Sequence, residues 1–147
     1  MIEEKRLGVR IDCAMVPLLS EGLLASVADP GKTLAALGVF GCEAARHLGA
    51  LRVDGSAAGC SFFSLPARGE RPISLGRTSR DLAASWDGDA ELARLRAYHA
   101  SPPEPCRTCP LFAVCRGGCQ IVSRRESGTF APDPECPRVQ RHAERAA

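Results

Sequence analysis

Residues 106–119 read Cys106-Arg107-Thr108-Cys109-Pro110-Leu111-Phe112-Ala113-Val114-Cys115-Arg116-Gly117-Gly118-Cys119, four cysteines within fourteen positions. Thiolates are soft ligands suited to zinc or to iron–sulfur centres. Two intervening residues let Cys106 and Cys109 turn toward one centre. Gly117 and Gly118, without a Cβ, let the backbone come close to a bulky group and offer amide donors to its sulfurs. The stretch 106–137 shows no periodicity that builds a core. It is expected to be ordered by something other than hydrophobic burial.

Working outward, Cys136 follows Cys119 after sixteen intervening residues, and Pro137 follows it directly. Upstream, Cys42 is separated by twelve residues from Gly55, and Gly55 by four from Cys60. Cys13 stands apart. Eight thiols suffice for two four-ligand centres, zinc or iron–sulfur alike. Zinc sites commonly set two cysteine pairs roughly 12–20 residues apart. Here Cys115 comes only five residues after Cys109. The spacing favours iron–sulfur and leaves zinc open.

The rest of the composition narrows the field. The chain has 147 residues, 45% apolar and 24% charged, with net charge +2. A domain of this size buries roughly 70% of its unfolded surface, so it needs no cross-links merely to fold. The near-neutral balance gives no electrostatic reason to expect nucleic acid as a partner. The run Leu23–Ala28 falls far short of the ~20 residues that span a bilayer, and no membrane role is expected. The opening Met1-Ile2-Glu3-Glu4-Lys5-Arg6 is unlike a secretory signal. The expected localisation is therefore cytoplasmic and reducing, where cysteines stay thiols or bind metal.

Alternation of Leu7, Val9, Ile11 and Cys13 predicts a strand at 6–14, ended by Pro17. Residues 18–28 and 33–39 read as short helices, with Asp29-Pro30-Gly31 as a turn between them. Leu48–Val53 and Ala58–Phe63 read as a hairpin closed by Asp54-Gly55 in a two-residue turn. Residues 64–79 read as loop and Asp81–Trp86 as a helical turn. Asp89 caps a helix over 90–99, with Leu92, Leu95 and Tyr98 on its buried face. Ser101-Pro102-Pro103-Glu104-Pro105 ends that helix.

Taken together, Cys-x12-Gly-x4-Cys, Cys-x2-Cys-x5-Cys-x3-Cys and a final Cys resemble the seven-cysteine signature of the SPASM domain. That domain is the C-terminal auxiliary-cluster module of radical S-adenosylmethionine enzymes that mature peptides and proteins. The likeness spans about 42–137 and includes Asp133-Pro134-Glu135-Cys136-Pro137. It implies an α+β, loop-rich SPASM/twitch-like module with a β-hairpin, short helices and a cysteine-wrapped segment around two [4Fe–4S] clusters. The first cluster would take Cys42, Cys60 and Cys119, and the second Cys106, Cys109, Cys115 and Cys136. Cys13 is the one spare thiol and a weak candidate for an extra ligand. Its bland reading is a small buried hydrophobe.

The resemblance divides the chain into 1–40, similar to the end of a partial barrel, 41–140, the auxiliary-cluster domain, and a tail at 141–147. The Cys-x3-Cys-x2-Cys motif of the catalytic cluster is absent. No S-adenosylmethionine site and no catalysis by this chain alone are expected. The implied role is electron transfer or substrate placement for a radical S-adenosylmethionine reaction on a peptide or protein. The implied partner is the radical core, as a preceding domain or as a separate subunit. Two other functions remain open: a zinc-stabilised scaffold, and a stand-alone ferredoxin-like electron carrier. His47, His99 and His142 are isolated, and none is expected to be a ligand or base. Arg107, Arg116, Arg124 and Arg125 flank the cysteine run and are candidates for tuning an anionic cluster. Gly117 and Gly118 are candidates for hydrogen-bonding it.

Overall fold

The computed structural model describes residues 13–64, 73–74 and 78–146. The strand expected at 6–14 falls almost wholly outside them. Its last two residues, Cys13 and Ala14, instead open a 3-10 helix, Cys13–Leu19, which contains Pro17. Two short helices follow, α1 (Ser20–Ser26) and α2 (Pro30–Ala36). Asp29-Pro30-Gly31 is no free-standing turn but the start of α2. The Asp29 carboxylate accepts from the Lys32 amide at 3.0 Å, and Pro30 takes the first helical position, where its missing N–H costs nothing.

The hairpin forms with shorter strands than expected. Strand β1 (Ala50–Leu51) pairs antiparallel with β2 (Ser56–Ala58), Ala50 opposite Ala58 and Leu51 opposite Ala57. The connection is a three-residue loop rather than a two-residue one. Arg52 N–H donates to Ser56 O at 2.8 Å, and Gly55 N–H donates to Arg52 O at 3.0 Å. Gly55 carries the positive φ, 81°, and Asp54 does not, so a bulge at Gly55 absorbs the extra residue. The Asp54 carboxylate turns back to accept from the Ser56 amide at 2.9 Å. The return chain leaves the sheet at Cys60 and winds into a 3-10 helix, Ser61–Ser64. A third strand, β3 (Ile73–Ser74), pairs antiparallel with β2 inside the segment expected to be loop. Two residues among prolines and glycines are too few for alternation to register.

Helix α3 spans Ser79–Gly88, longer than the turn expected. Its extra length follows from a reciprocal cap. Thr78 Oγ1 accepts from the Asp81 amide at 3.2 Å, and Asp81 Oδ2 accepts from the Thr78 amide at 2.9 Å. Helix α4 (Ala90–Ala100) starts where expected, with Asp89 Oδ1 accepting from the Leu92 amide at 2.9 Å. Leu92, Leu95 and Tyr98 are its buried residues. Beyond it come α5 (Phe112–Cys115), α6 (Gln120–Ser127) and α7 (Pro137–Ala146). The residues expected to be a tail are helical through Ala146, and α7 packs against α1.

Two apolar clusters hold these elements. The first gathers Ala57 and Ala58 of β2, Phe63, and Leu92, Leu95 and Tyr98 of α4, with Cys60 among them. The small side chains of β2 let α4 lie close. The second gathers Val16, Leu34, Leu111, Val114 and Cys115. The segment 106–137 therefore does contribute apolar core, contrary to expectation. Leu111 and Val114 are three residues apart on one face of a single helical turn, too short a run to show a period. Val16 and Leu34 come from before residue 40, so this core joins the two segments the sequence would separate. The result is mixed helix and small antiparallel sheet, rich in loops. Among the described residues no helix is long and apolar enough to cross a membrane.

Candidate metal centres

The cysteines fall into two sets by position. Cys106, Cys109, Cys115 and Cys136 line one recess, together with Pro17, Leu111, Gly117 and Arg138. The recess as it stands has room for about 20 Å³, on the order of one water molecule. Within this set Cys106 feels the charge of Cys109 and Cys136, and Cys115 that of Cys136 and Cys106. In the other set, Cys42 feels Cys60 and Cys119, and Cys60 feels Cys119. Among the described residues no three His, Cys, Asp or Glu side chains stand close enough to hold a single metal ion as they are. Cys13 begins the 3-10 helix that packs beside α5, and Pro17 of that helix lines the Cys106 recess.

Local structure aims N–H groups at these sulfurs. Cys60 immediately precedes a 3-10 helix, and the amides of Phe63 and Phe62 donate to its thiol. Cys119 is the N-cap of α6, and the first amide of that helix, on Gln120, donates to Cys42 together with that of Ala44. Cys136 precedes α7, where its carbonyl accepts from Val139 and Gln140 at 2.9 and 3.0 Å. Helix N-termini carry partial positive charge and favour a thiolate over a thiol. Cys115 receives the amides of Gly118 and Gly117. Tyr98 points its hydroxyl at Cys106 Sγ, 3.9 Å away.

Burial opposes these donors in the metal-free chain. It pushes the Cys106 thiol up to about 11 and the Cys115 thiol up to about 12. Cys42 and Cys60 are raised for the same reason. Burial, and after it the neighbouring Cys106, raise Tyr98 and keep it a neutral donor. Any metal that binds must displace these protons, so its affinity rises with pH.

Gly117 and Gly118 have φ of 82° and 81°, following Arg116 at 57°, three left-handed residues in a row. The glycines are also needed there for packing. A Cβ on Gly117 would stand 2.0 Å from the Tyr98 hydroxyl, and one on Gly118 would stand 2.4 Å from Asp133 Cβ. Their close neighbours are protein side chains. Gly41 is likewise pressed on the chain beside Cys115, whose carbonyl oxygen a Cβ would meet at 2.2 Å. That contact sets Cys42 next to the helix end that leads to Cys119.

Asp133 joins the two sets. It is 3% exposed, and its Oδ2 accepts from the Cys119 amide at 2.8 Å. Its Oδ1 accepts from Glu135 at 2.9 Å, and its carbonyl accepts from the Cys136 amide at 3.0 Å. Its own amide donates to Gly117 O at 3.0 Å. One buried residue thus ties Cys119 of one set to Cys136 of the other. Sequence reasoning treated Asp133 as part of a motif and did not foresee this clamp.

The arginines are arranged differently from expectation. Arg107 pairs with Glu104 at 2.9 Å, Arg116 with Glu43 at 3.0 Å, and Arg124 with Glu91, while Arg125 is exposed. None of the four lines the recess. Arg138 does, with a buried Nε that has no hydrogen-bond partner, and its charge favours the ionised Cys106. An Arg two residues after a cysteine was the signal available in the sequence.

His99 belongs to neither set. Both its ring nitrogens are buried without a partner, and burial with the charges of Arg116 and Arg46 pushes it down to about 4, while Glu43 pulls the other way. The unfolded chain then binds the extra proton between about pH 6.5 and 4. Stability contributed by neutral His99 is complete above that window and is lost as pH falls through it. After discounting for solvent screening the loss is about 1–2 kcal/mol. Urea titrations at pH 7 and pH 4.5 are expected to show that difference in the native chain and a smaller one in His99→Gln. An equal difference in both proteins would refute the assignment.

No protein-family model, curated protein or solved structure matches the chain.

Proposed function

We propose that this chain is an auxiliary iron–sulfur module. It holds one [4Fe–4S] cluster on Cys106, Cys109, Cys115 and Cys136, and a second on Cys42, Cys60 and Cys119. The observation that carries the reading is the recess lined by Cys106, Cys109, Cys115 and Cys136, four thiols drawn from a chain separation of thirty residues. Their chemistry fits the group: soft donors, amides and a tyrosine hydroxyl aimed at sulfur, and the partnerless Arg138 Nε facing an anionic centre. The other set offers three thiols, so its remaining position is open to Cys13, to a substrate atom or to none.

Such clusters supply one-electron transfer at a potential set by hydrogen bonds and charge. The protein's part is to hold the sulfurs, to donate from Gly117, Gly118 and Tyr98, and to bring Arg138 alongside. By its resemblance to the SPASM domain, the module serves a radical S-adenosylmethionine reaction on a peptide or protein, carried out by a core domain or subunit outside these residues. The cytoplasm is the compartment that suits free thiols and such clusters.

The test is metal and sulfide analysis after anaerobic reconstitution. About eight iron and eight sulfide per chain are expected, from two cubane clusters. Zinc without sulfide would establish the scaffold reading instead. Reversible reduction of the isolated chain, with no effect on any radical enzyme, would favour the stand-alone carrier.

A further inference from the structure

A second concave site shares no residue with the Cys106 recess. It is an open cleft of about 530 Å³ between the turn at 43–48 and the C-terminal half of α4, lined by Arg46, Trp86, Arg96, His99 and Arg116, with Asp87 also on its wall. Arg96 is fixed without a carboxylate partner. Its Nε donates to Ala45 O and its Nη2 to Trp86 O, each at 2.9 Å, and the guanidinium lies 5.7 Å from the Trp86 ring centroid. Arg116 is 18% exposed and held by Glu43, whose other carboxylate oxygen meets His47 at 2.6 Å. Arg46 is exposed, with no ion pair among the described residues. Three arginines therefore line the cleft against one lining carboxylate, Asp87, while Glu43 is paired with Arg116. Both nitrogens of His99 are buried there with nothing to bond.

We propose that this cleft binds a carboxylate group of an acidic peptide. Guanidinium is the side chain that recognises carboxylates through paired N–H donors, and a donor already fixed in place loses little freedom on binding. The one N–H of neutral His99, unpartnered in the free chain, is a further donor for the carboxylate. A phosphate is a poorer fit. Phosphate sites use helix N-termini and glycine-rich loops, whereas this cleft meets the last turn of α4, the negative end of its dipole. That end penalises a doubly charged ion more than a single carboxylate. The cleft is open to solvent and wider than a lone ion needs, with Trp86 as an apolar wall. His99 is held neutral first by its burial and then by the charges of Arg116 and Arg46, with Glu43 opposing. The proposal is independent of what the cysteines bind.

Calorimetric titration of the full chain with acetyl-triglutamate amide tests it. Binding at least tenfold tighter than for the matching triglutamine peptide is expected, and it should be abolished at about 1 M salt, where the Debye length is ~3 Å. Arg46→Glu, at an exposed position outside the cysteine sets, should weaken binding at least fivefold and leave the melting temperature unchanged. Equal binding of the glutamine peptide would overturn the proposal. So would undiminished binding in Arg46→Glu, or inorganic phosphate binding as tightly as the acidic peptide.

Discussion

Cys136→Ala is expected to lower iron from about eight to about four per chain and to leave one cluster's spectroscopic signal intact. The reasoning starts from the separation of the cysteines into two sets. Cys136 interacts with Cys106 and Cys115 and lines their recess, whereas Cys42, Cys60 and Cys119 influence one another. The substitution removes a sulfur and keeps the backbone. The Cys136 amide still donates to Asp133 O, and Asp133 still accepts from the Cys119 amide. The clamp that holds Cys119 in the first set is therefore preserved. Of the thiols that remain, Cys106 and Cys115 are pushed up to about 11 and about 12 by burial, so they give up their protons to a metal less readily than ordinary thiols. Cys42→Ala is the mirror experiment, and should spare the cluster in the recess. Retention of both clusters in Cys136→Ala, or loss of both with an unchanged circular dichroism spectrum, would refute the partition.

Much of this site was legible in the cysteine spacing, and the way it is built was not. The order of the thiols and the Asp89-capped helix α4 are local features, written within a few residues. The hairpin was legible in existence but not in register, because Asp54-Gly55 fits both a two-residue turn and a bulged three-residue loop. Strand β3, two residues long, carried no pattern at all. Arg138 and Asp133 were hidden for a different reason. Their roles depend on which distant backbone faces them: Gly117 and Cys119 for Asp133, the Cys106 recess for Arg138. No spacing rule reports that a carboxylate fourteen residues after Cys119 caps its amide. The four arginines flanking the run drew attention by position, yet Arg107, Arg116 and Arg124 are paired with acids at 104, 43 and 91. The cysteine recess is thus a meeting of local motifs fixed by long-range polar contacts.

Gly117→Ala tests that dependence most severely. The residue has φ of 82°, and an alanine there pays roughly 1–2 kcal/mol for left-handed backbone. Its Cβ would also fall 2.0 Å from the Tyr98 hydroxyl, inside a region where both residues are buried. Relieving such an overlap by shifting backbone or rotamer costs about 1–3 kcal/mol. A total destabilisation of about 3–4 kcal/mol is expected in urea unfolding, a large share of the roughly 5–15 kcal/mol typical of a domain. The two contributions can be separated. Tyr98→Phe alone removes one hydroxyl donor to Cys106 and should cost about 1 kcal/mol. In the Gly117→Ala/Tyr98→Phe double variant the nearest ring atoms are 2.9 and 3.1 Å from the new Cβ, so the worst overlap is gone and the backbone strain stays. The double variant should therefore be less destabilised than the sum of the singles by about 1 kcal/mol or more. Because the Gly117 amide also donates to Cys115, iron retention should fall in Gly117→Ala and recover partly in the double variant. Additive singles, or a Gly117→Ala chain within about 0.5 kcal/mol of the native one, would show that Tyr98 and the glycine step are not in the contact on which this part of the recess depends.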